Sequence, residues 1–126
     1  MPVPTTERRR SARGYNQAAL LAKVVSETLR LPLLNALERS SAPASQTTLS
    51  PDARRENVRG AFGVISDQAT RIRGMDVLLV DDVLTTGATA GEAARSLVSV
   101  GARSVRLLTF ARALPQASSL RRRPAA

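Results

Sequence analysis

The chain has 126 residues, a formal net charge of +9 and a hydrophobic share of 43%, which bounds it to one small domain with enough apolar chain for a core. Cysteine and histidine are both absent, so disulfides, thiolate or histidine zinc sites, and Ser-His or Cys-His catalytic pairs are excluded. Lys23 is the sole lysine among 19 basic residues, and an arginine-rich surface of this kind attracts polyanions such as pyrophosphate, nucleotides or nucleic acid.

Val3-Pro4 reads as the end of a strand entering a loop, and Thr5 to Gly14 as charged and irregular. Ala18, Leu21, Ala22, Val25 and Leu29 recur at three- and four-residue spacing, which predicts a helix from Asn16 to Arg30 that Pro32 stops. Leu33 to Leu37 reads as a strand, with a helix as the alternative. Ser40 to Ser50, rich in Ser, Ala, Thr and Pro, is the best candidate for a mobile loop. Ser50-Pro51 then has the form of an N-cap with proline at the first helical position, opening a short basic helix to Arg59 that Gly60 ends. Ala61 to Ile65 is a predicted strand, and Ser66 to Gly74 a connection with room for a helical turn. A strand from Met75 to Val80, a helix from Ala90 to Val100 closed by Gly101, and a strand from Val105 to Phe110 complete a parallel βαβ unit. The expected fold is α/β, a mostly parallel sheet flanked by helices. No apolar run approaches the about 18 residues that span a membrane. No signal-like apolar core follows Arg8-Arg9-Arg10, so cytoplasm is the expected compartment.

The most informative run is Val77-Leu78-Leu79-Val80-Asp81-Asp82-Val83-Leu84-Thr85-Thr86-Gly87-Ala88-Thr89. Four apolar residues suit a strand covered on both faces, and ligands of open α/β sheets bind beyond the carboxyl ends of such strands. Asp81 and Asp82 are expected at that end. Adjacent carboxylates repel and are poorly solvated when buried, and paired sugar hydroxyls would satisfy them, because an ionised carboxylate only accepts hydrogen bonds. The Thr85–Thr89 loop adds hydroxyls and converging backbone N–H groups, with a helix N-terminus behind them. Two other strands that end in acids fit poorly. An NTPase would need a Gly-x-x-x-x-Gly-Lys-Ser/Thr loop, and Lys23 has no such loop around it. A receiver domain would need a later Asp and a later Lys, and no Asp follows Asp82 and no Lys follows Lys23.

The run resembles the phosphoribosyl-pyrophosphate (PRPP) motif of type I phosphoribosyltransferases, and the remaining chain resembles their competence-protein ComF branch. Arg13-Gly14-Tyr15-Asn16-Gln17-Ala18 is similar to that branch's Arg-Gly-Phe-Asn-Gln-Ala block. Gln46-Thr47-Thr48-Leu49, followed by Arg54-Arg55-Glu56-Asn57-Val58-Arg59-Gly60-Ala61-Phe62, is similar to its Gln-x-x-Leu and Arg-x-x-Asn-Val-x-Gly-Ala-Phe stretch. Leu108-Thr109-Phe110-Ala111-Arg112 resembles its closing strand. The blocks stand in family order over residues 1–114, leaving 115–126, with Arg121-Arg122-Arg123, as a basic tail.

The resemblance implies a phosphoribosyltransferase that takes PRPP or a ribose 5-phosphate. Asp81 and Asp82 would hold the ribose hydroxyls, and Thr85, Thr86, Gly87, Ala88 and Thr89 the 5′-phosphate. Arg13 and Gly14 would face the pyrophosphate. Gln46, Arg54, Arg55 and Asn57 would belong to a closing catalytic loop that excludes water. Mg²⁺ would be held by substrate oxygens and water, with Asp82 reaching it through water. The family's N-terminal zinc ribbon and first core strand have no counterpart here, because Met1 falls at the end of what the resemblance makes an internal strand. A homodimer or a partner chain is therefore expected to cover the exposed edge. A second reading stays open: a non-catalytic competence or DNA-uptake accessory that binds single-stranded DNA or partner proteins. Its weakness is the near absence of aromatics for stacking bases, with only Tyr15, Phe62 and Phe110 present.

Overall fold

The computed structural model describes residues 1–40 and 59–113. The expected loop and basic helix between Ser40 and Arg59, the four proposed catalytic-loop residues Gln46, Arg54, Arg55 and Asn57, and the tail from Pro115 lie outside the described residues, apart from Ser40 and Arg59 themselves.

In chain order the elements are α1 (Glu7–Arg13), α2 (Gln17–Leu29), β1 (Leu37–Arg39), β2 (Phe62–Val64), a 3-10 turn (Ser66–Gln68), α3 (Ala69–Ile72), β3 (Asp76–Leu84), α4 (Ala88–Ser99) and β4 (Ser104–Arg112). β3 is the centre of the fold. On one side it pairs in parallel with β4, from Asp76 opposite Ser104 to Leu84 opposite Arg112. On the other side Pro2 bridges Val80, again in parallel. The Val3 N–H donates to the Val80 carbonyl and the Val80 N–H to the Met1 carbonyl, both at 2.9 Å. Val3-Pro4 is thus the end of a strand, as its sequence suggests. β1 and β2 form a separate antiparallel pair, Leu37 opposite Val64 and Arg39 opposite Phe62.

α4 is the crossover that makes β3 and β4 parallel. It buries Ala90, Ala93 and Leu97, and the two alanines let the helix sit close to its neighbours while Leu97 fills the space between. Leu97 joins Val3, Ile72, Leu79, Phe62 and Ala102 in one apolar cluster. α2 covers the sheet with Ala18 and Ala22. Its start is fixed by Asn16, whose side-chain oxygen accepts from the Ala18 N–H at 3.0 Å and whose amide donates to the Val3 carbonyl at 3.4 Å. One side chain therefore caps the helix and ties it to the first strand. The far ends of β3 and β4 are tied by Asp76, which accepts from Arg103 Nε at 2.9 Å and from the Ser104 hydroxyl at 2.7 Å. The Arg103 guanidinium and the Ser104 hydroxyl hold the Asp76 carboxyl well below the usual carboxylate range.

Three elements differ from expectation. Glu7–Arg13 is helical although it lacks apolar periodicity, because arginine, glutamate and alanine are good helix formers and Arg10 and Arg13 lie at the favourable C-terminal end. The strand expected at Leu33–Leu37 is displaced to Leu37–Arg39, where Phe62–Val64 offers a partner. β3 does not end at Val80. It continues through both aspartates to Leu84, because β4 goes on pairing with it as far as Arg112.

Candidate functional site

Adjacent positions on a strand send their side chains to opposite faces, so Asp81 and Asp82 would not ordinarily meet one ligand. Both line one cavity here because the first strand stops beside Val80. Beyond it the edge of β3 is open, and a cavity of about 310 Å³ wraps around that edge and reaches both carboxylates. Each aspartate spends one oxygen on the backbone: Asp81 accepts from the Asp82 N–H at 2.9 Å and Asp82 from the Val83 N–H at 2.8 Å.

The loop that closes the cavity turns on Gly87, which has φ 80° and ψ −1°. An added Cβ there would meet Leu84 Cδ1 at 3.8 Å, an ordinary contact. Backbone conformation, and not lack of space, is therefore what selects glycine. α4 begins at the next residue, so its unpaired N–H groups and the positive end of its dipole face the same space as Thr85, Gly87 and Thr89. Thr86 turns its hydroxyl to the loop, accepting from the Ala88 N–H at 3.3 Å.

Of the proposed binding residues, the cavity wall brings together Asp81, Asp82, Thr85, Gly87, Thr89 and Arg13. Gly14, Thr86 and Ala88 do not line it. Gly14 sits at the turn between α1 and α2 with φ 76°. Arg13 is steadied by Gln17, to whose Oε1 it donates at 2.8 Å.

Sequence reasoning missed Arg39. It lines the cavity at the end of β1, with its guanidinium 5.2 Å from the centre of the Phe62 ring, a cation–π arrangement that orients the charge. The available signal was its place as the last residue of a short strand, two positions from the buried Leu37. Tyr15 and Asn16 line the same wall. The cavity thus has two acids at its floor, a hydroxyl- and N–H-rich loop on one side, and two arginines around it.

Burial pushes the Asp81 carboxyl above its ordinary range, and the neighbouring Asp82 carboxylate adds to the rise. The Asp82 backbone N–H and the Arg39 charge pull it down. A carboxyl whose pKa is raised by folding contributes stability in acid that is lost as pH rises through the folded pKa. A hydroxyl donor placed on this carboxyl would act with the opposite sign, because it favours the ionised form. In an NMR titration the Asp81 carboxyl is expected to titrate above ordinary aspartates, to move down when ribose 5-phosphate is added, and to move up in Arg39→Gln. A midpoint at the ordinary value that ignores both changes would contradict this electrostatic picture.

Among the described residues no three His, Cys, Asp or Glu side chains are grouped to hold a metal ion, and no helix is long and apolar enough to cross a membrane.

A model of the phosphoribosyl transferase domain matches residues 15–123. Competence protein F of Haemophilus influenzae is 38% identical over 115 residues, 90% of this chain and 49% of that protein. The DNA utilization protein YhgH of Escherichia coli O157:H7 is 36% identical over 113 residues, 89% of this chain and 48% of its own length. Competence protein ComFC of Bacillus subtilis is 33% identical over 115 residues, 89% of this chain and 43% of that protein. The chain spans about half the length of the curated relatives it matches. No solved structure matches it.

Proposed function

The chain belongs to the phosphoribosyl transferase domain family, in its competence-protein ComF branch, and from that membership we propose that the cavity beside β3 binds PRPP or a related ribose 5-phosphate and supports phosphoribosyl transfer. The observation that carries this reading is the single cavity shared by Asp81, Asp82 and the loop ending at Thr89, with Arg13 and Arg39 on its walls. The acids accept the 2′- and 3′-hydroxyls of the sugar. The Gly87 turn and the α4 N-terminus receive the 5′-phosphate. Arg13 and Arg39 neutralise a diphosphate better than lysines would, through planar, multiply donating guanidinium groups.

In the transfer itself the bond from the anomeric carbon to the pyrophosphate oxygen breaks, and the pyrophosphate leaves with the electron pair. A new bond forms from an acceptor atom to the same carbon, and the acceptor's proton goes to solvent or to a base. The sugar passes through a cationic, oxocarbenium-like state. The protein's part is to hold the ribose rigidly and to place positive charge where the leaving group gathers electrons. Mg²⁺ would add charge neutralisation on the diphosphate. Asp82 would hold such an ion through one of the waters that Mg²⁺ keeps.

The test is calorimetry with Mg²⁺-PRPP together with an assay of pyrophosphate release in the presence of candidate nucleobases and amines. Saturable binding with release supports transfer, and binding without release supports a ribose-phosphate sensor. The absence of PRPP and ribose 5-phosphate binding would reject the reading.

The names of the relatives favour a second reading, an accessory role in handling DNA. The charge of +9 fits a polyanion. Affinity for single-stranded DNA that falls steeply with salt, and is indifferent to Asp81 and Asp82, would place the function on the basic surface.

A further inference from the structure

β4 pairs with β3 along one edge, and among the described residues nothing pairs with its other edge. The register fixes which groups that edge offers. The Arg103 N–H donates to the Met75 carbonyl at 2.8 Å and the Ala113 N–H to the Leu84 carbonyl at 2.9 Å. Alternate residues of a strand turn their N–H and C=O groups to the same neighbour, so the odd-numbered residues of β4 serve β3. Ser104, Arg106, Leu108, Phe110 and Arg112 turn theirs outward. Proteins blunt such edges with proline, lysine or a very short strand. Ser104–Arg112 is nine residues long and contains neither residue, and it leaves Leu107 38% and Phe110 59% exposed.

The outward set is complementary to itself. An antiparallel copy laid along it, with the two-fold axis at Leu108, sets Leu108 opposite Leu108, Arg106 opposite Phe110 and Ser104 opposite Arg112. Every one of these residues faces outward, so each pair exchanges both of its N–H···O bonds. The side chains match as well. The Arg106 guanidinium falls beside the exposed Phe110 ring of the second copy, the same cross-strand cation–π pair that Arg39 and Phe62 make between β1 and β2. Arg112 falls beside Ser104, whose hydroxyl donates to the Asp76 carboxylate, so positive charge meets negative. On the other face Leu107 stands opposite Thr109.

We propose that β4 is a dimer interface: two copies of this chain join edge to edge through Ser104–Arg112, antiparallel about Leu108, into one continuous β3–β4–β4–β3 sheet. A second copy is selected over an unrelated strand because the same nine residues supply both members of every matched pair, as an isologous interface requires. Both edge arginines gain partners in this register. The two β4 strands run in opposite directions, so the two Asp81–Thr89 cavities lie at opposite ends of the joined sheet. The interface stands whether or not those cavities take a ribose phosphate.

The chain has no cysteine, so introduced cysteines report the register directly. Residues facing each other in a hydrogen-bonded antiparallel pair have Cα atoms about 5.5 Å apart, within the roughly 4.4–6.8 Å that a disulfide spans. Under mild oxidation Leu108→Cys is expected to crosslink with itself. Arg106→Cys and Phe110→Cys are expected to crosslink when mixed, and much more slowly when each is alone. The unmodified chain is expected to sediment as a monomer–dimer equilibrium, with exchange of its Leu108 and Phe110 amides slowing about tenfold or more from dilute to concentrated samples. A chain that stays monomeric at every concentration would overturn the proposal. So would Arg106→Cys crosslinking as fast alone as in the mixture, which would mark a different register. Edge amides already slow in a monomer would also overturn it, because the occupant would then be the chain's own residues beyond Ala113.

Discussion

Replacing Asp81 and Asp82 together by asparagine should weaken binding of Mg²⁺-PRPP or ribose 5-phosphate by about 10²-fold or more, while leaving Tm unchanged or raised. The binding loss follows from chemistry. A hydrogen bond to a charged acceptor contributes roughly 1.5–3 kcal/mol, and the double substitution removes two such acceptors. Each new amide also presents a donor where the sugar presents donors. The stability change has the opposite sign, because the Asp81 carboxyl is burdened by burial and by its neighbour's charge. Asparagine keeps an oxygen for the Asp82 and Val83 N–H groups that now bond the carboxylates. Calorimetry and thermal melting on the same preparation separate the two effects. Unchanged affinity would remove the acid pair from the site, and lost affinity with a lowered Tm would mark damage to the fold.

Leu97→Ala is expected to be the most damaging of the core truncations. Leu97 has no exposed surface and stands on α4, among Ile72, Leu79 and Phe62 in the main cluster. Large-to-small changes at such positions remove about 2–5 kcal/mol. That is a large fraction of the total stability of a small domain, roughly 5–15 kcal/mol. A drop in Tm of about 10 °C or more, or failure to fold, is the expected outcome of thermal melting. Leu20→Ala, on the exposed face of α2 at 55% exposure, is the control and should change little. A tolerated Leu97→Ala would show that α4 is not anchored through this contact.

The two halves of the site were unequally visible in the sequence. The apolar run Val77–Val80 and the Gly87 turn are local signals, and a strand, a turn and a helix follow one another there, with β3 running on past Val80 to Leu84 and α4 starting at Ala88, ahead of the expected Ala90. The reach of β3 through Asp81 and Asp82 to Leu84 was not local. It depends on β4 pairing with it as far as Arg112. α2 was legible almost to the residue, since Asn16 caps it and its apolar repeat runs unbroken, and it ends at Leu29 with Arg30 in a left-handed cap. α1 was not legible, because helix-forming composition without periodicity looks like a charged loop. Arg39 was missed for the reason that β1 was shifted: in a three-residue strand the partner decides the register, and the partner lies more than twenty residues away.

That partner has a consequence of its own. The Ser40 N–H donates to the Ala61 carbonyl at 2.7 Å. Gly60 is bonded in turn to Glu92 of α4, its N–H donating to Oε1 at 2.8 Å, and Ser96 donates to the Phe62 carbonyl at 2.9 Å. The two points where the chain leaves and re-enters the described fold are therefore stitched to each other and to the helix that starts at the Gly87 turn. Such a stitched neck holds Ser40 and Ala61 at a fixed separation beside α4. Changes in the connection would therefore be expected to leave the turn at Gly87 and the acids of β3 in place.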